Sequence, residues 1–122
     1  MEDLLRSCSM SYKIKSVASF DKDFKRLLKR YHSLPDDVKA LVKDLRKNPM
    51  MGVSLGHGVH KIRLAIHSKG GGKSGGIRVI TYVNVMVEVE EGVVYLLAMY
   101  DKSDQDSIAD KAIKELLKQL PA

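Results

Sequence analysis

The middle of the chain carries cationic side chains at spacings that would group them on one face of a β-sheet. No acidic residue lies between Asp44 and Glu88. The same span holds these basic residues and histidines: Arg46, Lys47, Lys61, Arg63, Lys69, Lys73, Arg78, His57, His60 and His67. Lys61 and Arg63 are two residues apart in a strand-like run, so both project from one face. Segregated positive charge of this kind predicts an anionic partner, above all the phosphates of RNA. The alternative is that these are solvated side chains on the outer face of an antiparallel sheet.

A glycine-rich segment at residues 68–76, Ser-Lys-Gly-Gly-Gly-Lys-Ser-Gly-Gly, invites comparison with a nucleotide phosphate loop. The spacing of that loop needs glycine at position 67, where the chain has His67, and the loop should lead into a helix. Residues 77–82 are strand-like instead, which excludes nucleotide hydrolysis by such a loop. Its backbone N–H groups, together with Lys69 and Lys73, can still wrap a phosphodiester. A flexible hairpin connection is an equally good interpretation.

Histidines in the basic segment are candidates for proton transfer, because imidazole titrates near neutral pH. His57 and His67 fall in loops or at strand ends and are the better candidates. His60 adjoins Lys61 but points to the opposite face, which predicts burial or another partner. No carboxylate lies nearby in sequence and no HExxH-like spacing occurs, so we expect neither a metal site nor a cofactor.

Polar side chains also follow the last strand-like run, where functional residues are common. Tyr100 can stack on a base or transfer a proton, and Lys102 can stabilise phosphate charge. The alternative is that Tyr100 only packs, while residues 101–104 cap the final helix.

Hydrophobic periodicity defines the elements that would position these side chains, with period two for strands and period 3.6 for helices. The predicted strands are 12–18, 59–66, 77–85 and 93–101, with a turn at 88–92. The predicted helices run from an N-cap at Ser19 to Tyr31, from Leu34 to Asn48, and from Ser107, in a loose capping box with Asp110, to Leu120. The order β-α-α-β-β-β-α predicts an α+β fold. A helical hairpin packs on a mostly antiparallel four-stranded sheet, and a C-terminal helix follows.

Length and composition fit an ordinary globular protein. The 122 residues suit a single domain, 1–122, in which 1–11 form an N-terminal extension and Met10 is an alternative start. The chain is 44% hydrophobic and 30% charged, with a net charge of +6. Its single cysteine, Cys8, excludes an internal disulfide and argues for a reducing compartment. No signal-peptide pattern or membrane-length apolar run occurs, so a cytoplasmic location is expected.

Four segments together resemble the RelE/ParE toxin superfamily, and within it the HigB-like, RelE-type branch. They are Lys-Ile-Arg-Leu at 61–64, the Gly/Lys loop at 68–76, Ile-Arg-Val-Ile-Thr-Tyr at 77–82, and the run 94–102. In that branch a Gly/Lys loop likewise precedes a strand that opens with arginine. The helical hairpin before these segments and the helix containing Ile-Lys-Glu-Leu-Leu at 113–117 also match. The likeness covers residues 12–120.

The resemblance implies a type II toxin that acts as an mRNA interferase, a metal-independent endoribonuclease that cuts mRNA in the ribosomal decoding site. In this reaction the ribose 2′-hydroxyl attacks the adjacent phosphate while cations stabilise the transition state. By position, Lys61 and Arg63 match the basic pair of the second strand. Arg78 matches the arginine that opens the third strand, and Lys102 the basic residue after the fourth. We therefore expect Arg63 and Arg78 to neutralise phosphate charge and Lys61 to act as base or charge stabiliser. Tyr100 is expected in base stacking or proton transfer. The expected RNA-binding residues around them are Lys69, Lys73, His57, His67, Arg46 and Lys47.

One departure from the family pattern concerns acid–base chemistry. RelE has a catalytic tyrosine in its last helical segment, where this chain has Ser107 or Ile108, so that role is vacant or falls to Tyr100. The implied partners are a cognate antitoxin, of helix-turn-helix type, and the ribosome with its mRNA, with no membrane. Two alternatives stay open. One is a ParE-like inhibitor of DNA gyrase, which the dense basic pair disfavours, and the other is a catalytically inactive module that binds RNA or the ribosome.

Overall fold

Three helices and five strands form the fold in a computed structural model that describes residues 11–67, 76–86 and 91–120. The strands lie in one sheet in the order β1-β5-β4-β3-β2. The first strand runs parallel to β5, and all other neighbours are antiparallel. In chain order the elements are β1 (Ser11–Ser16), α1 (Ala18–Leu28), α2 (Leu34–Lys47), β2 (Val53–Gly56), β3 (Val59–Leu64), β4 (Ile77–Met86), β5 (Glu91–Asp101) and α3 (Asp110–Leu117).

Both faces of the sheet are covered by helices. The α1–α2 hairpin packs on one face, where its apolar stripes join inward-facing side chains such as Ile62, Val79 and Leu96. The other face carries α3, whose Ile113 packs in a second cluster with Val59, Ile80 and Leu97. Alternating residues of each central strand therefore belong to different clusters, as the period of a strand requires. The expected α+β class with a helical hairpin and a C-terminal helix is confirmed.

The predicted number of strands was wrong, because the sheet has five strands and the sequence indicated four. The additional strand, β2, has four residues, all of them exposed. A strand with no buried side contributes no alternation of apolar and polar residues, which is the signal that sequence analysis detects. It is defined instead by its pairing with β3, from Val53 opposite Lys61 to Gly56 opposite Val59.

The predicted helix starts at Ser19 and Ser107 were also wrong. The first helix begins at Ala18 with Val17 at the N-cap, and the Ser19 hydroxyl donates to the Leu97 carbonyl over 2.6 Å. That hydrogen bond ties α1 to β5, which is a tertiary use of a residue type that also favours caps. The last helix begins at Asp110 after Ala109, so Ser107 does not form a capping box. By contrast, α2 begins at Leu34, as predicted.

The central pair β4–β5 contains a β-bulge. Ile80 pairs with Ala98 and Thr81 with Leu96, so Leu97 is an extra residue on β5. Side chains on β5 change phase at this point. Tyr95 and Leu97 face α3 before the bulge, and Ala98 and Tyr100 face it afterwards. Of the predicted turn at 88–92, residues 88–90 lie outside the described residues, and Gly92 belongs to β5, opposite Tyr12.

Gly52 marks a tight crossing before β2, and we expect its replacement to destabilise the fold. Its φ is +94°, and a Cβ built there would lie 2.4 Å from the Lys61 carbonyl oxygen. Gly56 has almost the same φ, +92°, with open space around it. Gly56→Ala should therefore cost only the left-handed backbone penalty, about 1 kcal/mol, and Gly52→Ala about 3 kcal/mol because the backbone must also shift. Urea unfolding of both variants checks this, and equal losses would contradict the clash.

Candidate functional site

Three predicted site residues form one row across the sheet. Arg63 on β3 lies directly opposite Arg78 on β4, and Arg78 lies opposite Tyr100 on β5. All three belong to the sheet face that α3 covers, since their strand neighbours Leu64, Ile77 and Met99 pack on the other face. Adjacent strands are about 4.8 Å apart, so the row spans about 10 Å. Like charges directly opposite each other are destabilising. Pairing Arg63 with Arg78 is therefore a costly arrangement that suits a bound anion.

Lys61 and Lys102 extend this row. Lys61 lies two residues before Arg63 on the same face, opposite Ile80, and is half-buried. Lys102 follows β5 directly, its side chain is exposed, and its backbone N–H donates to the Gly76 carbonyl over 3.0 Å. Because Gly76 precedes β4, this bond holds Lys102 at the end of the sheet where Arg78 begins its strand. We call Lys61, Arg63, Arg78, Tyr100 and Lys102 the cationic row.

Tyr100 differs from the cations in being buried, with 4% of its surface exposed. Its hydroxyl has no hydrogen-bond partner among the residues that the structure describes. Burial raises the pKa of the phenol, while the nearby charge of Arg78 acts in the opposite direction. A ring covered in this way can stack on a base only after its covering moves, whereas its place directly opposite Arg78 needs no such movement.

The unpaired hydroxyl of Tyr100 leads to a prediction about stability. Tyr100→Phe removes a buried polar group without leaving another one unpaired, so the free energy of unfolding should stay within about 1 kcal/mol of the wild type or rise. Tyr31→Phe is the matched control, because the Tyr31 hydroxyl donates to buried Asp101. That variant should lose about 1–3 kcal/mol. Thermal and urea unfolding measure both, and a larger loss in Tyr100→Phe than in Tyr31→Phe would show that the phenol is paired.

A buried carboxylate anchors the end of β5 that carries the row. Asp101 is fully buried and accepts hydrogen bonds from the Tyr31 hydroxyl, from Arg30 at 3.1 Å, and from the N–H and hydroxyl of Ser103 at 2.9 and 2.8 Å. Burial opposes ionisation, but these donors outweigh it and hold the pKa of Asp101 well below its usual range. Arg30 also contacts Asp104 at 2.9 Å. Asp101 and Asp104 therefore fasten the α1–α2 connection to β5 and do not cap α3.

His67 lies at the border between the sheet and α2. Its Nδ1 lies 2.5 Å from Oδ1 of Asp37, a residue in the first turn of α2, and its backbone N–H donates to Oδ2 over 3.3 Å. The imidazole is 80% exposed, whereas the Asp37 side chain is 1% exposed. A cavity of about 270 Å³ at this border is lined by His67, Asp37, Asp44 and Arg63, among others. His67 thus shares a groove with one member of the cationic row.

The other predicted RNA-binding residues lie on other elements or outside the described part of the chain. Arg46 and Lys47 occupy the last turn of α2, about 15 Å along the helix from Asp37. His57, with φ +53°, precedes β3 and lines a separate cavity beside α3. Lys69 and Lys73 lie outside the described residues. Their roles in binding stay predictions.

His60 is buried, as its predicted orientation indicated, and its Nδ1 has no partner within the described part of the chain. The sequence analysis missed Asp37 and Asp101. In the sequence, Asp37 is an acidic residue in the first turn of a helix, where it favours the helix dipole, and Asp101 is one of several acidic residues after a strand. Only the tertiary contacts reveal that each is buried and paired.

Within the described ranges, no three His, Cys, Asp or Glu side chains are grouped so as to hold a metal ion. None of the helices described here is long and apolar enough to cross a membrane.

Comparisons with known proteins identify relatives of this fold. The profile of the family described as RelE toxin of the RelE/RelB toxin–antitoxin system matches residues 19–120. Among solved structures, the chain is similar to a mutant of E. coli toxin RelE, with two arginines replaced by alanine, in the free state. The TM-score is 0.55 at 16% sequence identity, covering 92% of this chain and 100% of that one, a likeness that shows a common fold. No curated protein matches the sequence significantly.

Proposed function

We propose that this chain, which belongs to the RelE toxin family, is the toxin of a type II toxin–antitoxin system that cleaves mRNA on the ribosome. The observation that carries the proposal is the row in which Arg63 and Arg78 face each other beside Tyr100. Two guanidinium groups on directly opposite residues suit a phosphodiester, whose transition state carries more negative charge than its ground state. The proposed site of action is the cytoplasm. Within the family, the chain is proposed to belong to the HigB-like branch.

The proposed reaction is transesterification without a metal. The ribose 2′-hydroxyl attacks the adjacent phosphorus, and the bond to the 5′-oxygen breaks. Arg63 and Arg78 neutralise charge on the non-bridging oxygens, and Lys102 supports the phosphate from the end of the sheet. Lys61, two residues from Arg63 on the same face, adds charge stabilisation. Tyr100, with a raised pKa, is a neutral hydrogen-bond donor or a proton donor beside Arg78.

A cognate antitoxin is proposed to neutralise the toxin by covering the cationic row or by displacing α3. Two features support this. The helix has eight residues with a single buried one, Ile113, and it covers the sheet face that carries the row. Hydrogen–deuterium exchange of the complex measures both surfaces. If neither α3 nor the row changes its protection, this mode of inhibition is wrong.

Expression of the protein alone, with mapping of mRNA 5′ ends, tests the proposed activity. The expected result is growth arrest with cuts in phase with codons. Arrest with intact mRNA and stalled replication would instead identify a gyrase inhibitor, as in ParE-like relatives. Binding to ribosomes without cuts or arrest would identify an inactive RNA-binding module, and absence of arrest would overturn the proposal of a toxin.

A further inference from the structure

A histidine–aspartate pair at the edge of the sheet has the geometry of a base with an orienting group. Asp37 receives three hydrogen bonds: from the Ser33 hydroxyl at 2.7 Å, from the His67 backbone, and from the His67 ring. The carboxylate is buried, and the ring is exposed. Burial alone would raise the pKa of Asp37, but the hydrogen bonds from Ser33 and His67 outweigh it and lower that pKa. Asp37 is therefore a carboxylate near neutral pH and can only accept.

An accepting carboxylate fixes the tautomer of the imidazole. Nδ1 must carry the hydrogen that Asp37 accepts, so in the neutral ring Nε2 holds the lone pair. Since the side chain is 80% exposed, that nitrogen is available to a solute. The same division of roles, a buried aspartate on Nδ1 and a reactive Nε2, makes histidine an effective base in hydrolases.

The position of the pair relates it to the cationic row. β2 pairs with β3 only as far as Lys61. On the side of β3 that faces away from β4, residues Ile62 to Leu64 therefore have no strand neighbour among the described residues. Arg63 lies at this open edge and lines the groove that also contains His67. Because both residues line one groove, a phosphate bound by Arg63 at this edge would bring its ribose next to that groove.

We infer that His67, oriented by Asp37, is the base that accepts the proton of the ribose 2′-hydroxyl, a role that rests on the RNA cleavage proposed above. The proton passes to Nε2 while the 2′-oxygen forms a bond to phosphorus. The bond between phosphorus and the 5′-oxygen breaks, which gives a 2′,3′-cyclic phosphate and a 5′-hydroxyl that takes its proton from Tyr100 or from water. The imidazolium then returns its proton to solvent. Asp37 does not touch the RNA and is a positioning residue.

Cleavage kinetics on programmed ribosomes test this role. His67→Ala should lower the cleavage rate about 10²–10⁴-fold, with partial recovery on addition of imidazole. His32→Ala, which removes an exposed histidine outside the row and the groove, should leave the rate unchanged. Asp37→Asn keeps the shape of the side chain but favours the wrong tautomer, so it should lower kcat with little change in KM. Thermal unfolding of each variant separates loss of folding from loss of chemistry.

The tautomer of His67 can be measured independently of cleavage activity. The charged groups around the imidazole are Asp37 and Asp44 from α2 and Arg63 from β3. Nitrogen-15 NMR of the wild type, without RNA, should show the Nδ1–H tautomer of His67.

The outcomes distinguish this inference from the proposed function. If the wild type cleaves RNA and His67→Ala cleaves equally fast, His67 is not the base, and the proposed function stands. An Nε2–H tautomer in the NMR spectrum would overturn the orienting role of Asp37 whatever the activity. If the wild type leaves RNA intact on ribosomes, the proposed function fails and the role of His67 in it fails too.

Discussion

Arg78→Ala should lower the rate of mRNA cleavage by about 10²–10³-fold, the usual effect of removing one group that stabilises a developing negative charge. Arg78 lies in the middle of the cationic row, directly opposite Arg63 on one strand and Tyr100 on the other. Arg78→Lys keeps the charge but loses the planar fork that matches two phosphate oxygens, so it should recover only part of the activity. Single-turnover cleavage of mRNA on purified ribosomes measures both variants.

Loss of positive charge anywhere on the protein would weaken its attraction to RNA, so the comparison needs a variant matched in charge. Lys13→Ala and Lys15→Ala remove exposed cations from β1, at the opposite edge of the sheet from β3. They should have small effects that disappear as salt is raised. If they impair cleavage as much as Arg78→Ala does, the row contributes only general electrostatic attraction.

Asp101→Asn should lower the free energy of unfolding by about 2–3 kcal/mol at neutral pH, because hydrogen bonds to a buried charged group are strong and several would weaken together. The pKa of Asp101 is depressed in the folded protein, below the ordinary value of 3.8. Its stabilisation is therefore complete above that value and is lost as the pH falls from 3.8 towards the folded-state pKa. Wild-type stability should decline steeply in this acid range, and the variant should show a shallower decline.

Urea unfolding between neutral pH and the acid range measures this difference. Asp106→Asn is the control, because its side chain is exposed and its loss should leave both the stability and the pH dependence close to the wild type. The pKa of Asp37 is lowered in the same direction, so Asp37 contributes to the pH dependence of stability that remains in the Asp101→Asn variant. Identical pH profiles of stability for the wild type and Asp101→Asn would show that the hydrogen bonds to Asp101 do not stabilise its charged carboxylate.

The sequence predicted those features that depend on local periodicity. The α2 boundary at Leu34 and the common face of Lys61, Arg63 and Arg78 follow from helix and strand periods and from simple register. The number of strands could not be obtained in this way, because β2 is exposed throughout and exists through its pairing. Ser19 illustrates the same limit. Its hydroxyl could cap a helix or bond to another element, and in the fold it donates to the Leu97 carbonyl.

The candidate site was predictable as a group of cations but not as an arrangement with supporting acids. Asp37 is separated from His67 by thirty residues, and Asp101 from Tyr31 by seventy. Nothing in their neighbourhoods marks them as buried, because acidic residues at helix starts and after strands are ordinary. Pairings over such distances arise only when the helical hairpin closes onto the sheet.

The bulge at Leu97 has a consequence for how sites of this kind change over time. The bulge takes up Leu97 between Leu96 and Ala98, so Tyr100 still lies opposite Arg78 although β5 has one residue more than β4 over this stretch. If the same residues paired without the bulge, each position after Leu97 would move by one and Tyr100 would face the helical hairpin, although every amino acid of the row would still be present. The chemistry of this sheet is therefore encoded partly by the pairing of its strands, and comparison of residue identities alone would overlook its gain or loss.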